Sequence, residues 1–149
     1  KVAGAVSVED ANPVISAFRE QVMRVGVGVK AIIARALEEN DSIIIDGVHL
    51  LPDLLDLKPF AGDAIFVWVN LHIEDEKQFT RRFKQRGKEA TKRSAHRYVE
   101  NIDAILEIQR HILSTGKEHN ILAYENTDFE ETTQSQLTYV MDLLRKELA

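Results

Sequence analysis

A chain of 149 residues, 44% hydrophobic and 29% charged with a formal net charge of −5, has enough apolar material for one domain with a buried core and reads as an ordinary soluble protein. No run approaches the roughly 20 apolar residues that cross a bilayer, and the absence of cysteine excludes a disulfide framework and a thiolate metal centre. The opening "KVAGAVSVED", with Lys1 in first place, lacks the basic-then-apolar order of a secretory signal, so the expectation is a piece of a longer cytoplasmic protein.

The first periodic segment runs from Val14 to Glu39. Phe18, Val22, Val25, Val29, Ile32 and Ala36 recur at alternating steps of four and three, the stripe of an amphipathic helix, which Gly26 and Gly28 are expected to divide in two. "SIIIDGV" (Ser42 to Val48) follows as a short, mostly apolar run, and "AIFVWVNL" (Ala64 to Leu71) and "NILAYEN" (Asn120 to Asn126) repeat its character. All three read as strands covered on both faces. Between the last two lies "HRYVENIDAILEIQRHILSTG", a helical stripe through Tyr98, Ile102, Ile105, Gln109 and Ile112 with Gly116 as its expected stop. Thr133 to Leu148 carries Leu137, Val140, Leu144 and Leu148 on a final stripe. Strands alternating with helices predict a mostly parallel α/β sheet in a single domain spanning residues 1–149, without internal repeat, low-complexity tract or linker.

In such sheets ligands sit beyond the carboxyl ends of the strands. Asp46, Asn70 with His72, and Asn126 with Asp128 all fall there, although His72, Asn126 and Asp128 equally suit turns and helix caps. Asp46 follows three isoleucines directly and precedes Gly47, which permits close backbone approach. Buried without a cation it would be costly, and as an ionised carboxylate it suits holding Mg²⁺ or accepting a hydroxyl proton.

Charge is unevenly placed. From Lys77 to Arg97, nine basic residues (Lys77, Arg81, Arg82, Lys84, Arg86, Lys88, Lys92, Arg93, Arg97) face a single acid, Glu89, in a chain that is acidic overall. Such a segment fits an anionic ligand or a solvated helix face, and composition alone does not separate the two. A nucleic-acid-binding module would want exposed aromatics interleaved with the cations, whereas Phe79 and Phe83 stand at core spacing.

"IIIDGVHLLP", "FTRRFKQRG", "RSAHRYVENIDAILEIQRHIL" and "NILAYEN", in this order and spacing, resemble the later, C-terminal portion of P-loop small-molecule kinases, and in particular the 2-phosphoglycerate kinase family. "FREQVMRVGVGVKAIIARALEEN" adds to the likeness, which covers nearly everything after the first dozen residues. The resemblance implies a three-layer, mostly parallel sheet of P-loop NTPase type. It also implies an ATP-dependent kinase that uses Mg²⁺ to phosphorylate a hydroxyl of a small phosphorylated acid such as 2-phosphoglycerate. By resemblance Asp46 supplies the catalytic acid and metal ligand, with Arg82 and Arg86 as cations over the transferring group. Arg81 and Asn126 fall to the nucleotide, Arg93 and Arg97 to the substrate. His49 suits either an acidic substrate or a local hydrogen bond.

One signature is missing. A G-x-x-x-x-G-K-[ST] loop, which wraps nucleotide phosphates, occurs nowhere in the 149 residues, and "VGVGVKA" has the wrong spacing and a helical pattern through it. The expected sheet is therefore incomplete, with a vacancy between "SIIID" and "IFVWV" that Val2 to Val8, or a second copy through dimerisation or strand exchange, could fill. This piece alone is expected to be inactive. A noncatalytic scaffold or regulatory domain derived from such a kinase is the alternative, because the same loop would be missing there.

Overall fold

A computed structural model describes residues 12–89 and 100–148. Its elements are helix α1 (Pro13–Glu39), strand β1 (Val69–His72), helix α2 (Glu76–Glu89), helix α3 (Ile102–Glu118), strand β2 (Leu122–Glu125) and helix α4 (Phe129–Glu147), with a short 3-10 turn over Lys58–Phe60. The two strands pair in parallel, Val69 opposite Leu122 through to His72 opposite Glu125. The expected α/β class is therefore present, with a two-stranded parallel sheet among the described residues.

Helix α1 starts where Asn12 accepts hydrogen bonds from the Val14 and Ile15 amides at 3.0 and 3.3 Å and Pro13 presets the first helical φ. It does not break at its glycines. Gly26 is buried in the apolar stripe, and a Cβ there would lie 3.6 Å from Leu55 Cδ1. Packing on both sides, by Val22 and Val29, outweighs the roughly 1 kcal/mol helix penalty of glycine. The helix ends at Asn40, left-handed at φ 53°, where the Asn40 and Asp41 amides return to Leu37 and Ala36 oxygens at 3.1 and 2.9 Å. This is a Schellman stop, which asparagine can occupy.

One face of α1 organises the core at two levels. Phe18 and Val22 pack with Leu51, which is 0% exposed, and with Leu54, Ile108 and Ile112; a turn further on, Val29 and Ile33 pack with Leu55, Leu37, Ile45, Leu50, Leu57, Phe60, Phe66 and Trp68.

The segment after α1 departs from the expectation. Residues 41–47 form no regular element and no ladder, and Ile43 and Ile44 are exposed, Ile44 at 99%. Only Ile45 reaches the core. A strand exists through its neighbour's backbone groups, and among the described residues this stretch meets none. Gly47 likewise meets no close backbone: nothing lies within 4 Å of an added Cβ. The second predicted strand forms over Val69–His72, while residues 64–68 lead into it without ladder bonds.

The third strand appears as β2, and the Asn126 amide extends the pairing to the His72 oxygen at 2.7 Å. Helix α3 packs against both strands and against α1. Gly116 does not stop it. The left-handed residue is Asn120, φ 56°, with the Asn120 and Ile121 amides bonded to the Lys117 and Gly116 oxygens at 3.2 and 2.8 Å. Gly116 is instead buried under Asn70, whose side-chain nitrogen would sit 2.2 Å from an added Cβ.

Gly116→Ala should therefore lower stability, since an overpacked site costs about 1–3 kcal/mol against a helix-propensity gain of about 1 kcal/mol. In an Asn70→Ala background the obstruction is gone and the same substitution should raise stability. Denaturant titrations of the four chains in that double-mutant cycle check the reversal of sign.

Candidate functional site

The carboxyl ends of β1 and β2 meet the first turns of α2. Asp75 caps that helix, accepting from the Lys77 amide at 2.9 Å through its side chain and from the Phe79 amide at 3.0 Å through its backbone oxygen. Gln78 and Arg82, four residues apart, share the face of α2 turned toward β2. Arg82 donates from Nη2 to the backbone oxygens of Asn126, at 2.6 Å, and Thr127, at 3.1 Å. A guanidinium is thus fixed at the sheet end by main-chain carbonyls.

Around it, three buried polar atoms have no hydrogen-bond partner: His72 Nδ1, Gln78 Oε1 and Asn126 Oδ1. Each such atom ordinarily costs about 1–3 kcal/mol. Their gathering beside one cation, where α/β sheets take ligands, makes this the chain's candidate polar binding site. Arg81 is exposed on the next face and lines a shallow depression with Asp75, Lys77 and Gln78.

Gln109 is the site's support, and it belongs to the stripe read as core. Its Oε1 accepts from the Ile73 amide at 3.2 Å and its Nε2 donates to the Ile73 oxygen at 3.0 Å. The side chain thereby does for Ile73 what a neighbouring strand would do, and fixes the turn from β1 into α2. A glutamine in a row of isoleucines was the signal available for it.

The other predicted residues are dispersed. Asp46 is exposed on the irregular segment after α1, so the expected burial beside a cation is not observed; without a ladder the segment leaves the carboxylate in solvent. His49 lies over Phe18, ring centroids 5.9 Å apart, with Nε2 3.2 Å from Gln21 Oε1, which is the local hydrogen bond of the two readings. Asp128 caps α4 by accepting from the Glu131 amide at 2.9 Å. Arg86 stands one turn after Arg82 on α2, its side chain outside the described residues, as are Arg93 and Arg97. Among the described residues no three histidine or acidic side chains gather as a metal site, and no helix is long and apolar enough to cross a membrane.

The carbonyl bonds predict a contrast between adjacent cations. Arg82→Ala should lower stability by about 2 kcal/mol, the scale of hydrogen bonds from a charged donor. Arg81→Ala, at an exposed position, should stay within about 0.5 kcal/mol. Thermal denaturation of both variants measures the difference.

No protein-family profile matches the chain, nor does any solved structure. Curated proteins do. The chain is 30% identical over 131 residues to the 2-phosphoglycerate kinase of Pyrococcus furiosus, 88% of this chain and 42% of the relative. The enzyme of that name from Pyrococcus horikoshii is 32% identical over 87% and 42%, and that of Methanococcus maripaludis is 34% identical over 84% and 39%. The chain spans about two fifths of the length of these relatives. Along most of its own length, then, this chain is similar to archaeal 2-phosphoglycerate kinases, as its motifs implied.

Proposed function

We propose that the chain forms part of a cytoplasmic ATP-dependent kinase of P-loop type, which phosphorylates a hydroxyl of a small phosphorylated acid such as 2-phosphoglycerate. The similarity to 2-phosphoglycerate kinases over most of the chain carries the reading. The fixed Arg82 and the partnerless polar atoms beside it support a ligand at the sheet end. In this reading Asn126 and Arg81 face the nucleotide, and Arg82 with Arg86 neutralises charge on the transferring group, as planar guanidinium forks do. Asp46 holds Mg²⁺ or takes the proton of the attacking hydroxyl, while Arg93, Arg97 and His49 attract the acidic substrate.

The chain by itself does not fit Mg-ATP. It contains no phosphate-loop sequence, and phosphoryl transfer depends on positioning the phosphates and their metal. Calorimetric titration of the 149 residues with Mg-ATP should accordingly detect no micromolar binding.

The decisive experiment places this chain in the matching two fifths of the Pyrococcus furiosus enzyme and measures ATP consumption that depends on 2-phosphoglycerate. The chimera should turn over. Asp46→Asn within it should reduce the turnover rate about 10²- to 10⁴-fold, the usual contribution of a positioned acid or base, with folding unchanged. Arg86→Ala should depress turnover and Lys84→Ala should change little, because a diffuse basic field would make the two equivalent and salt-sensitive. A folded chimera without activity would favour the scaffold reading.

A further inference from the structure

Only one aspartate of the chain stands directly before a glycine, Asp46 before Gly47, and the pair carries a chemistry of its own. A glycine amide has no Cβ beside it and the widest choice of backbone angles, so its nitrogen is the main-chain nitrogen least hindered toward the carboxyl of the residue before it. Whether the two meet depends on the fold, because an amide committed to a helix or a ladder is not free to turn toward its neighbour's side chain.

Here the fold leaves both groups free. Asp46, Gly47 and Val48 are exposed, and residues 41–47 form no regular element. Among the described residues the Gly47 amide donates no hydrogen bond and the Asp46 carboxylate has no partner; the Gly47 oxygen alone is engaged, by the Leu50 amide at 3.3 Å. Other aspartates are occupied or hindered. Asp53 is held by Arg19 at 2.6 Å, Asp75 and Asp128 cap helices, and Asp41 and Asp63, though exposed, precede Ser42 and Ala64.

We propose that Asp46–Gly47 is a site of spontaneous isoaspartate formation in the folded chain. The Gly47 nitrogen bonds to Asp46 Cγ, and its proton leaves with the hydroxyl of the carboxyl in its acid form as one water, closing a cyclic imide. Water then opens the ring at either carbonyl. Opening at Cγ restores aspartate; opening at the main-chain carbonyl leaves the chain running through the former side chain, with a carboxylate on the former backbone carbon. Nothing is oxidised or reduced, and the mass returns to its starting value. The product adds a carbon to the main chain between Ile45 and Leu50, both packed at the Val29, Ile33 and Leu55 level of the core, and draws the carboxylate in toward the chain. The proposal does not rest on the kinase reading.

The test incubates the folded 149-residue chain at near-neutral pH, below its melting temperature, and digests it with an endoproteinase that cuts before aspartate and not before isoaspartate. A peptide running from Asp41 to Pro52, uncut at position 46 and of unchanged mass, should accumulate with time, preceded by a form lighter by one water. Gly47→Ala should lose this product; the position accepts a Cβ, since nothing lies within 4 Å of it and its φ is not positive. Asp46→Asn should pass through the same imide faster, because an amide releases ammonia, and return a carboxyl at position 46. Isoaspartate at position 46 in the urea-unfolded chain but not in the folded one would overturn the proposal, as would equal accumulation at Asp41 or Asp63, or an undiminished product in Gly47→Ala.

Discussion

The loop after α1 and helix α3 are placed by the one apolar face of α1. Loop residues 41–68 contain little regular structure, so their backbone does not fix their course; Leu51 and Leu55 do, each entering a different level of the α1 stripe. Fully burying a side chain of this size contributes about 1.5–3 kcal/mol, more than any single turn hydrogen bond along the loop. The segment carrying Asp46 and His49 is therefore held between Ile45 and the leucines at 50, 51 and 55. Gly26 lies in the same stripe, where a Cβ would make ordinary contact with Leu55.

The sheet presents a second constraint. Two short parallel strands are marginal by themselves, and polar side chains take over what further strands would supply. Gln109 pairs with both backbone groups of Ile73, Asn70 points from β1 toward the Ile112 oxygen, and Arg82 binds the carbonyls that follow β2. The Gln109 and Arg82 ties lie at the carboxyl end of the sheet. The candidate site is thus also the best-braced part of the strand pair, and its partnerless atoms stand out because their neighbours are satisfied.

The helices and the parallel pair were legible because each carries its own periodicity or its own partner. The isoleucine run was not. A triplet of isoleucines announces burial, but whether it becomes a strand depends on a neighbour that the segment does not encode, and Ile43 and Ile44 lie in solvent instead. Glycines misled in a related way. Gly26 and Gly116 suggest backbone breaks, whereas Gly26 sits inside a continuous helix and Gly116 makes room for the Asn70 side chain. The left-handed stops fell to Asn40 and Asn120. For the candidate site, strand-end position draws attention to His72 and Asn126, while Gln109 is hidden in a stripe whose period it obeys.

One face of the strand pair remains unexplained by its own company. Successive residues in a strand point to opposite faces; Asn70 faces α3, so Leu71 faces away from it, and the register puts Leu71 beside Tyr124 and Val69 beside Leu122 on that same far face. Leu71 and Leu122 are exposed there, and Ile43, Ile44 and Ile65 are exposed elsewhere on the chain. Parallel sheets normally have both faces covered, and apolar residues grouped this way are suited to burial rather than solvent. Ile44 precedes Asp46 by two residues. A surface laid over the isoleucine run would come close to this carboxylate as well, and a charge beside a low-dielectric surface acts more strongly on its neighbours than one in bulk water, so the setting of Asp46 is tied to the fate of the isoleucines before it.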